Sequence, residues 1–200
     1  MSRWRGETCD DAFVALCRGF PNSVIIRMGL RRSRLASPPV GNLLESLAEM
    51  TFLYLEDFAV GQKYAGSGRC VLDAAAIKSF AAAYDPEPYH LDEAVAERNP
   101  ALRGLTASGW HTASVTMRLL VESELKPAGG IIGLGVDEMR WPRPVRAGDE
   151  LHVETEILAV RLSESRPAQG IIKVRTITFN QANEPVQILT SNLLVERRTI

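Results

Sequence analysis

Two groups capable of acid–base chemistry share one stiff segment, Asp85-Pro86-Glu87-Pro88-Tyr89-His90. Each proline fixes its own φ, so the Asp85 carboxylate and the His90 imidazole are held at a nearly constant separation. A carboxylate beside an imidazole is a general acid/base pair, because histidine changes charge near neutral pH. On spacing alone the plainer reading is a proline turn, with Asp85 capping backbone amides and His90 on the surface. A second group follows in Arg103-Gly104-Leu105-Thr106-Ala107-Ser108-Gly109-Trp110-His111. Glycine at a helix start lets a ligand reach the free backbone N–H groups, where the helix dipole favours developing negative charge. That describes an oxyanion hole. A helix start capped by Ser108 is its plainer reading, and the two are compatible.

The elements that must position these groups follow from periodicity. Asp73 is a good N-cap, and Ile77, Phe80, Ala81 and Tyr84 recur on one helical face behind it. That helix must stop at Asp85, since Pro86 and Pro88 disfavour helical geometry in the residues before them. A short helix is expected over Asp92 to Arg98. The longest helical pattern runs from Ser108 to Leu125, with Trp110, Ala113, Met117, Leu120, Val121 and Leu125 as inward candidates. A first strand is expected over Tyr64 to Val71. Beyond the long helix, Ile131 to Trp141 reads as a strand, and Leu151, Val153, Thr155 and Ile157 alternate with polar neighbours. Ile171 to Phe179 and Val186 to Glu196 follow, joined by a polar turn at Asn180 to Glu184. Helices followed by a run of antiparallel strands make an α+β domain, most simply with the long helix lying on a curved sheet.

Composition bounds the class. The 200 residues weigh 22.0 kDa, with 46% hydrophobic and 24% charged residues, as in ordinary globular chains. Twenty-three basic and 24 acidic residues leave a net charge of -1, without the basic excess of a nucleic-acid binder. No apolar run approaches the roughly 20 residues that cross a bilayer. The three cysteines, Cys9, Cys17 and Cys70, include no C-x-x-C pair, which points to a reducing compartment, the cytoplasm. Up to Glu49 the chain has seven arginines, no lysine and five acids, without sustained periodicity. Residues 1–49 are therefore expected to be a poorly ordered extension, and residues 50–200 the folded domain.

Taken together, these residues resemble the MaoC-like dehydratase family, which includes the (R)-specific enoyl-CoA hydratases. The family's pattern of Asp, two residues, Pro, one residue and His is matched by Asp85, Pro88 and His90. The likeness continues through His90-Leu91-Asp92-Glu93 and Ala107-Ser108-Gly109 to Pro144-Val145-Arg146-Ala147-Gly148-Asp149, and it covers Tyr54 to the C-terminus. The resemblance implies a hot-dog fold, in which an antiparallel sheet wraps a long helix, and a homodimer or higher homo-oligomer whose sheets join. It implies reversible addition of water to a trans-2-enoyl thioester, giving a 3-hydroxyacyl thioester. Asp85 and His90 would hold one water, Asp85 would take its proton, and His90 would protonate the α-carbon. The Gly109 N–H would bind the thioester oxygen. No metal or redox cofactor is implied, and coenzyme A enters only as part of the acyl-CoA substrate.

Four positions depart from the usual pattern and bear on the acyl group accepted: Glu87, Tyr89, Ser108 and Met117, the substrate-binding candidates. Same-fold alternatives are an acyl-thioester hydrolase and a non-catalytic acyl-CoA-binding subunit. His111 is expected to be structural and His152 to face outward. The three histidines share no zinc-ligand spacing, and Ser108 and Ser114 lack a nucleophile elbow. Arg140, Arg143 and Arg146 form a basic cluster that either meets coenzyme A phosphates or is solvated. Cys70 is expected to be a small buried hydrophobe.

Overall fold

Alternation of apolar and polar residues builds most of the sheet. The computed structural model describes residues 52–198, so the extension expected over residues 1–49 lies outside the described residues. Among the described residues six strands are present: β1 (Lys63–Ala65), β2 (Cys70–Val71), β3 (Ile132–Arg140), β4 (Glu150–Leu162), β5 (Gln169–Phe179) and β6 (Pro185–Glu196). They form one antiparallel sheet in the order β1-β4-β5-β6-β3, with β2 also on β4. The strand expected over Tyr64 to Val71 is thus two short ones, interrupted at Gly66-Ser67-Gly68-Arg69. Glycine and serine there favour a break over continued pairing.

Among the described residues four α-helices precede β3: α1 (Ala74–Tyr84), α2 (Pro88–Leu91), α3 (Glu93–Arg98) and α4 (Gly109–Glu122). Asp73 caps α1 by accepting from the Ala76 N–H at 2.7 Å, and Asp92 caps α3 through the Val95 N–H. Both satisfy an amide that the helix itself leaves free. The proline segment is not extended throughout. Pro88 takes the first position of α2, where its missing N–H costs nothing, so His90 rides on a helical turn.

On the sheet, Leu151, Val153 and Ile157 of β4, Ile172 and Val174 of β5, and Leu193 and Val195 of β6 point inward. α4 lies against that face in the hot-dog arrangement. Its buried residues are Thr112, Val115, Thr116, Leu119 and Leu120. Three of the expected inward residues, Trp110, Met117 and Val121, are instead exposed, at 62%, 45% and 51%. Thr116 explains the rotation. Its hydroxyl meets the Thr178 hydroxyl at 2.6 Å and also donates to the Thr112 carbonyl, so two threonines are buried with their polar atoms satisfied. Apolar periodicity alone hides such a face. Tyr84 is likewise exposed, packed on Phe80 at 5.0 Å.

Two apolar clusters meet along α4. One joins Leu72, Ile77, Val115, Leu119, Val145 and Val186 near the helix start, and the other joins Leu120, Leu125, Ile157, Ile172 and Leu193. Each such side chain contributes about 1.5–3 kcal/mol on burial. Leu119, only 1% exposed between helix and sheet, is a direct test of this packing. Leu119→Ala should lower unfolding free energy by about 2–5 kcal/mol, seen as a lower urea midpoint with unchanged slope.

Candidate active site

His90 is buried, and its orientation is set from both ring nitrogens. Nδ1 lies 2.7 Å from the Thr106 carbonyl oxygen. A carbonyl only accepts, so Nδ1 carries the proton and donates, leaving Nε2 to face the other way. Nε2 stands 3.6 Å from Asp85 Oδ2, an ion-pair separation longer than a direct hydrogen bond. The two groups expected to converge do so. Asp85 ends α1, with its N–H on the Ala81 carbonyl and its own carbonyl accepting from the Glu87 N–H at 2.7 Å. The Glu87 carbonyl accepts from the His90 N–H at 2.9 Å, closing the bend.

The segment that carries Thr106 is fastened from outside. Ala107 N–H donates to the Val145 carbonyl at 2.8 Å, and Thr106 bridges Arg146 antiparallel. The Arg146 guanidinium donates to the Leu102 and Arg103 carbonyls. Arg146 is fixed in turn, since its N–H donates to Asp149 Oδ2 at 2.7 Å within the Pro144–Asp149 turn. Gly104 has φ +128°, which strains any side-chain-bearing residue, and its α-carbon packs beneath Arg146.

Ser108 is 1% exposed and caps α4, its hydroxyl accepting from the Trp110 N–H at 3.2 Å. Gly109 is the first helical residue, so its N–H is one of those that the helix itself leaves without a partner. A cavity of about 320 Å³ opens beside it. Tyr89, His90, Thr106, Gly109, Thr112 and Trp141 are in its wall, together with the Pro142–Val145 segment. The Tyr89 ring stands edge-on to His90, with centroids 4.6 Å apart. Desolvation, then the Glu87 and Asp85 carboxylates, push its phenol above the usual 10.0, so it remains a neutral O–H group at working pH.

Of the seven residues singled out from sequence, His90, Gly109 and Tyr89 line the cavity, and Asp85 stands behind His90. Ser108 acts through the helix start. Glu87 is exposed, Met117 lies on the outer face of α4, and neither is in the cavity wall. The arginines divide: Arg140 pairs with Glu138 and Arg143 with Glu184, while Arg146 braces the Thr106 loop. Only Arg143 reaches the cavity wall. Cys70 is half-buried beside the core. His152 lies on the outer face against Phe179, at 5.5 Å.

A carboxylate thus faces an imidazole whose ring lines the same cavity as a helix start. A family model described as MaoC like domain matches residues 57–178. The chain belongs to the MaoC-like family. A MaoC-like dehydratase from Rhodospirillum rubrum is 51% identical, with a TM-score of 0.70 over 74% of this chain and 99% of that one. The (R)-hydratase from A. caviae involved in PHA biosynthesis is 30% identical, with a TM-score of 0.53 over 72% of this chain and 99% of that one. The Bacillus subtilis protein YdeM, uncharacterized, is 29% identical over 143 residues, 72% of this chain and 99% of its own. The MaoC-like fold is therefore of hydratase/dehydratase type.

Three participants escaped the sequence reading: the Thr106 carbonyl, Trp141 and, behind it, Gln187. A backbone carbonyl has no residue-type signal. In the sequence Trp141 figures only as the last residue of an expected strand.

His111 stacks on Phe80, with rings 4.6 Å apart and nearly parallel, and its Nδ1 is buried without a partner. Burial lowers its pKa from 6.5, so the folded chain binds its proton more weakly than the unfolded chain does. Stability conferred by the neutral ring is present above 6.5 and falls as pH drops through the depressed folded value. His152 shifts in the same direction, from burial and then Arg69. The His111→Phe variant, which keeps the stack, should show a smaller loss of Tm between neutral and acid pH, a residual slope remaining from His152 and, at more acid pH, from the Glu56 and Asp137 carboxyls, which hydrogen bonds hold below their ordinary values.

Proposed function

We propose that this chain adds water reversibly across the double bond of a trans-2-enoyl thioester of coenzyme A, in the cytoplasm. The observation that carries the reading is His90 Nε2 facing Asp85 across 3.6 Å while Nδ1 is committed to Thr106. In the reactive form His90 is an imidazolium held by the Asp85 carboxylate. Asp85 takes one proton from the water, whose oxygen attacks the β-carbon. His90 gives its Nε2 proton to the α-carbon, and the proton on Asp85 then returns to Nε2. Atoms balance as one water added. The charge that gathers on the thioester oxygen during attack faces the Gly109 N–H, at the positive end of the α4 dipole. One such donor contributes about 3–4 kcal/mol to lowering the barrier. The (R)-hydratase likeness supports the same chemistry, and run backwards it dehydrates a 3-hydroxyacyl thioester.

Self-association is part of the proposal. β3 is the last strand of the sheet order, and Ile132, Leu134 and Val136 on it are 46%, 52% and 55% exposed. An unpaired apolar edge strand is a template for another strand, and a second copy of this chain presents its equal.

Hydration is followed as loss of the conjugated enoyl absorbance with crotonyl-CoA. Asp85→Asn and His90→Gln should each lower kcat about 10²–10⁴-fold with Tm retained. Full activity in both would overturn the roles, and release of free thiol without loss of absorbance would identify a hydrolase. In sedimentation, wild type should run as a dimer or larger, and Leu134→Lys should shift it towards monomer.

A further inference from the structure

Trp141 is fixed in a way that its position at the rim of a cavity does not require. A Cβ on Gly109 would fall 2.8 Å from Trp141 Cε2 and 3.0 Å from Cδ2 and Cζ2, so the indole lies directly against that α-carbon. Its Nε1–H donates to Gln187 Oε1 at 2.8 Å. Trp110 meets the ring edge-on at 6.0 Å. The indole nevertheless remains 42% exposed, so contacts with neighbouring apolar groups alone leave it room to swing outward.

Gln187 is wholly buried on β6, paired in register with Thr178, and its Nε2 finds no partner. Burying an amide whose NH2 group goes unmet opposes folding. A leucine there would avoid that cost. What the glutamine supplies in exchange is an acceptor for the Trp141 N–H.

From this geometry we infer that Trp141 is a specificity-determining residue that selects thioesters unbranched at the α-carbon, and that Gln187 is its positioning residue. The inference rests on the proposed hydratase reading. A thioester oxygen on the Gly109 N–H places the carbonyl carbon beside the indole that covers Gly109. Sulfur and the α-carbon are the carbonyl carbon's own substituents, so both lie one bond from the atom beside the ring, and a methyl branch on the α-carbon adds bulk next to the indole. With the indole pinned at its nitrogen and backed by glycine, it cannot yield to that methyl. Rejection of one methyl by a rigid apolar wall is worth about 10–200-fold.

The test compares the affinities of butyryl-CoA and 2-methylbutyryl-CoA, saturated probes that cannot be hydrated, by calorimetry on the full chain. Wild type should bind butyryl-CoA at least about tenfold more tightly. Trp141→Ala should bring the ratio close to unity, and Trp141→Phe, which keeps a ring, should give an intermediate ratio. Gln187→Leu should relax the ratio in the wild-type background, through release of the indole, but leave it unchanged in the Trp141→Phe background. That non-additivity separates positioning through Trp141 from general loosening, and Tm of each variant confirms folding. An equal affinity of wild type for both probes, or an unaltered ratio in Trp141→Ala and Trp141→Phe, overturns the inference. An unaltered ratio in Gln187→Leu overturns the role of Gln187. No binding of either probe by wild type overturns the proposed function along with it.

Discussion

The hydrogen bond from His90 Nδ1 to the Thr106 carbonyl decides what this site can do. It settles the tautomer of a buried imidazole and turns Nε2 towards Asp85 in one step. Without it the ring would rotate about its own side-chain bonds, and the carboxylate would face no fixed partner. The acceptor is a main-chain oxygen, so its placement depends on a backbone path and not on any one side chain. That path is long. It runs from the Thr106 loop to the Val145–Arg146 segment, and from there to Asp149 and its turn.

The rest of the fold serves two ends of one helix. The first turn of α4 offers an unfilled N–H where the dipole is positive. Its later turns bury Leu119 and Leu120 against β4, β5 and β6, which stops the helix from sliding. Threonine pairs between helix and sheet, and between β4 and β5 at Thr155 and Thr176, add directional contacts inside the apolar packing. Unlike methyl contacts, such pairs fit one register only. The site therefore inherits its geometry from a helix that cannot turn about its axis.

Much of this was legible in the residues. Asp73 and Asp92 announced their helices because capping is a local event, and Pro86 and Pro88 marked the bend because proline acts on its own neighbours. Strict alternation along β4 and β5 gave the sheet. The inward face of α4 was misread, since Thr112 and Thr116 look polar until Thr178 is placed opposite them by pairing distant in sequence. The helical turn over Pro88–Leu91 went unmarked, because a proline reads as a breaker, whereas at a first helical position it starts a turn. Asp85, His90 and Gly109 could be named by type and spacing. Thr106 and Gln187 could not, because one acts through its backbone and the other through a partner 46 residues away.

The loop that holds the Thr106 carbonyl is itself anchored in the first apolar cluster, through Leu105, Ala107 and Val145, and this has a consequence for heat. The bonds that hold it belong to loops, and loops open locally at a smaller free-energy cost than the strands beneath them. The anchoring side chains raise that cost towards that of the core, so the imidazole keeps its orientation until the packing around Leu119 gives way. Were the site to act as proposed, activity and fold would be lost together on heating.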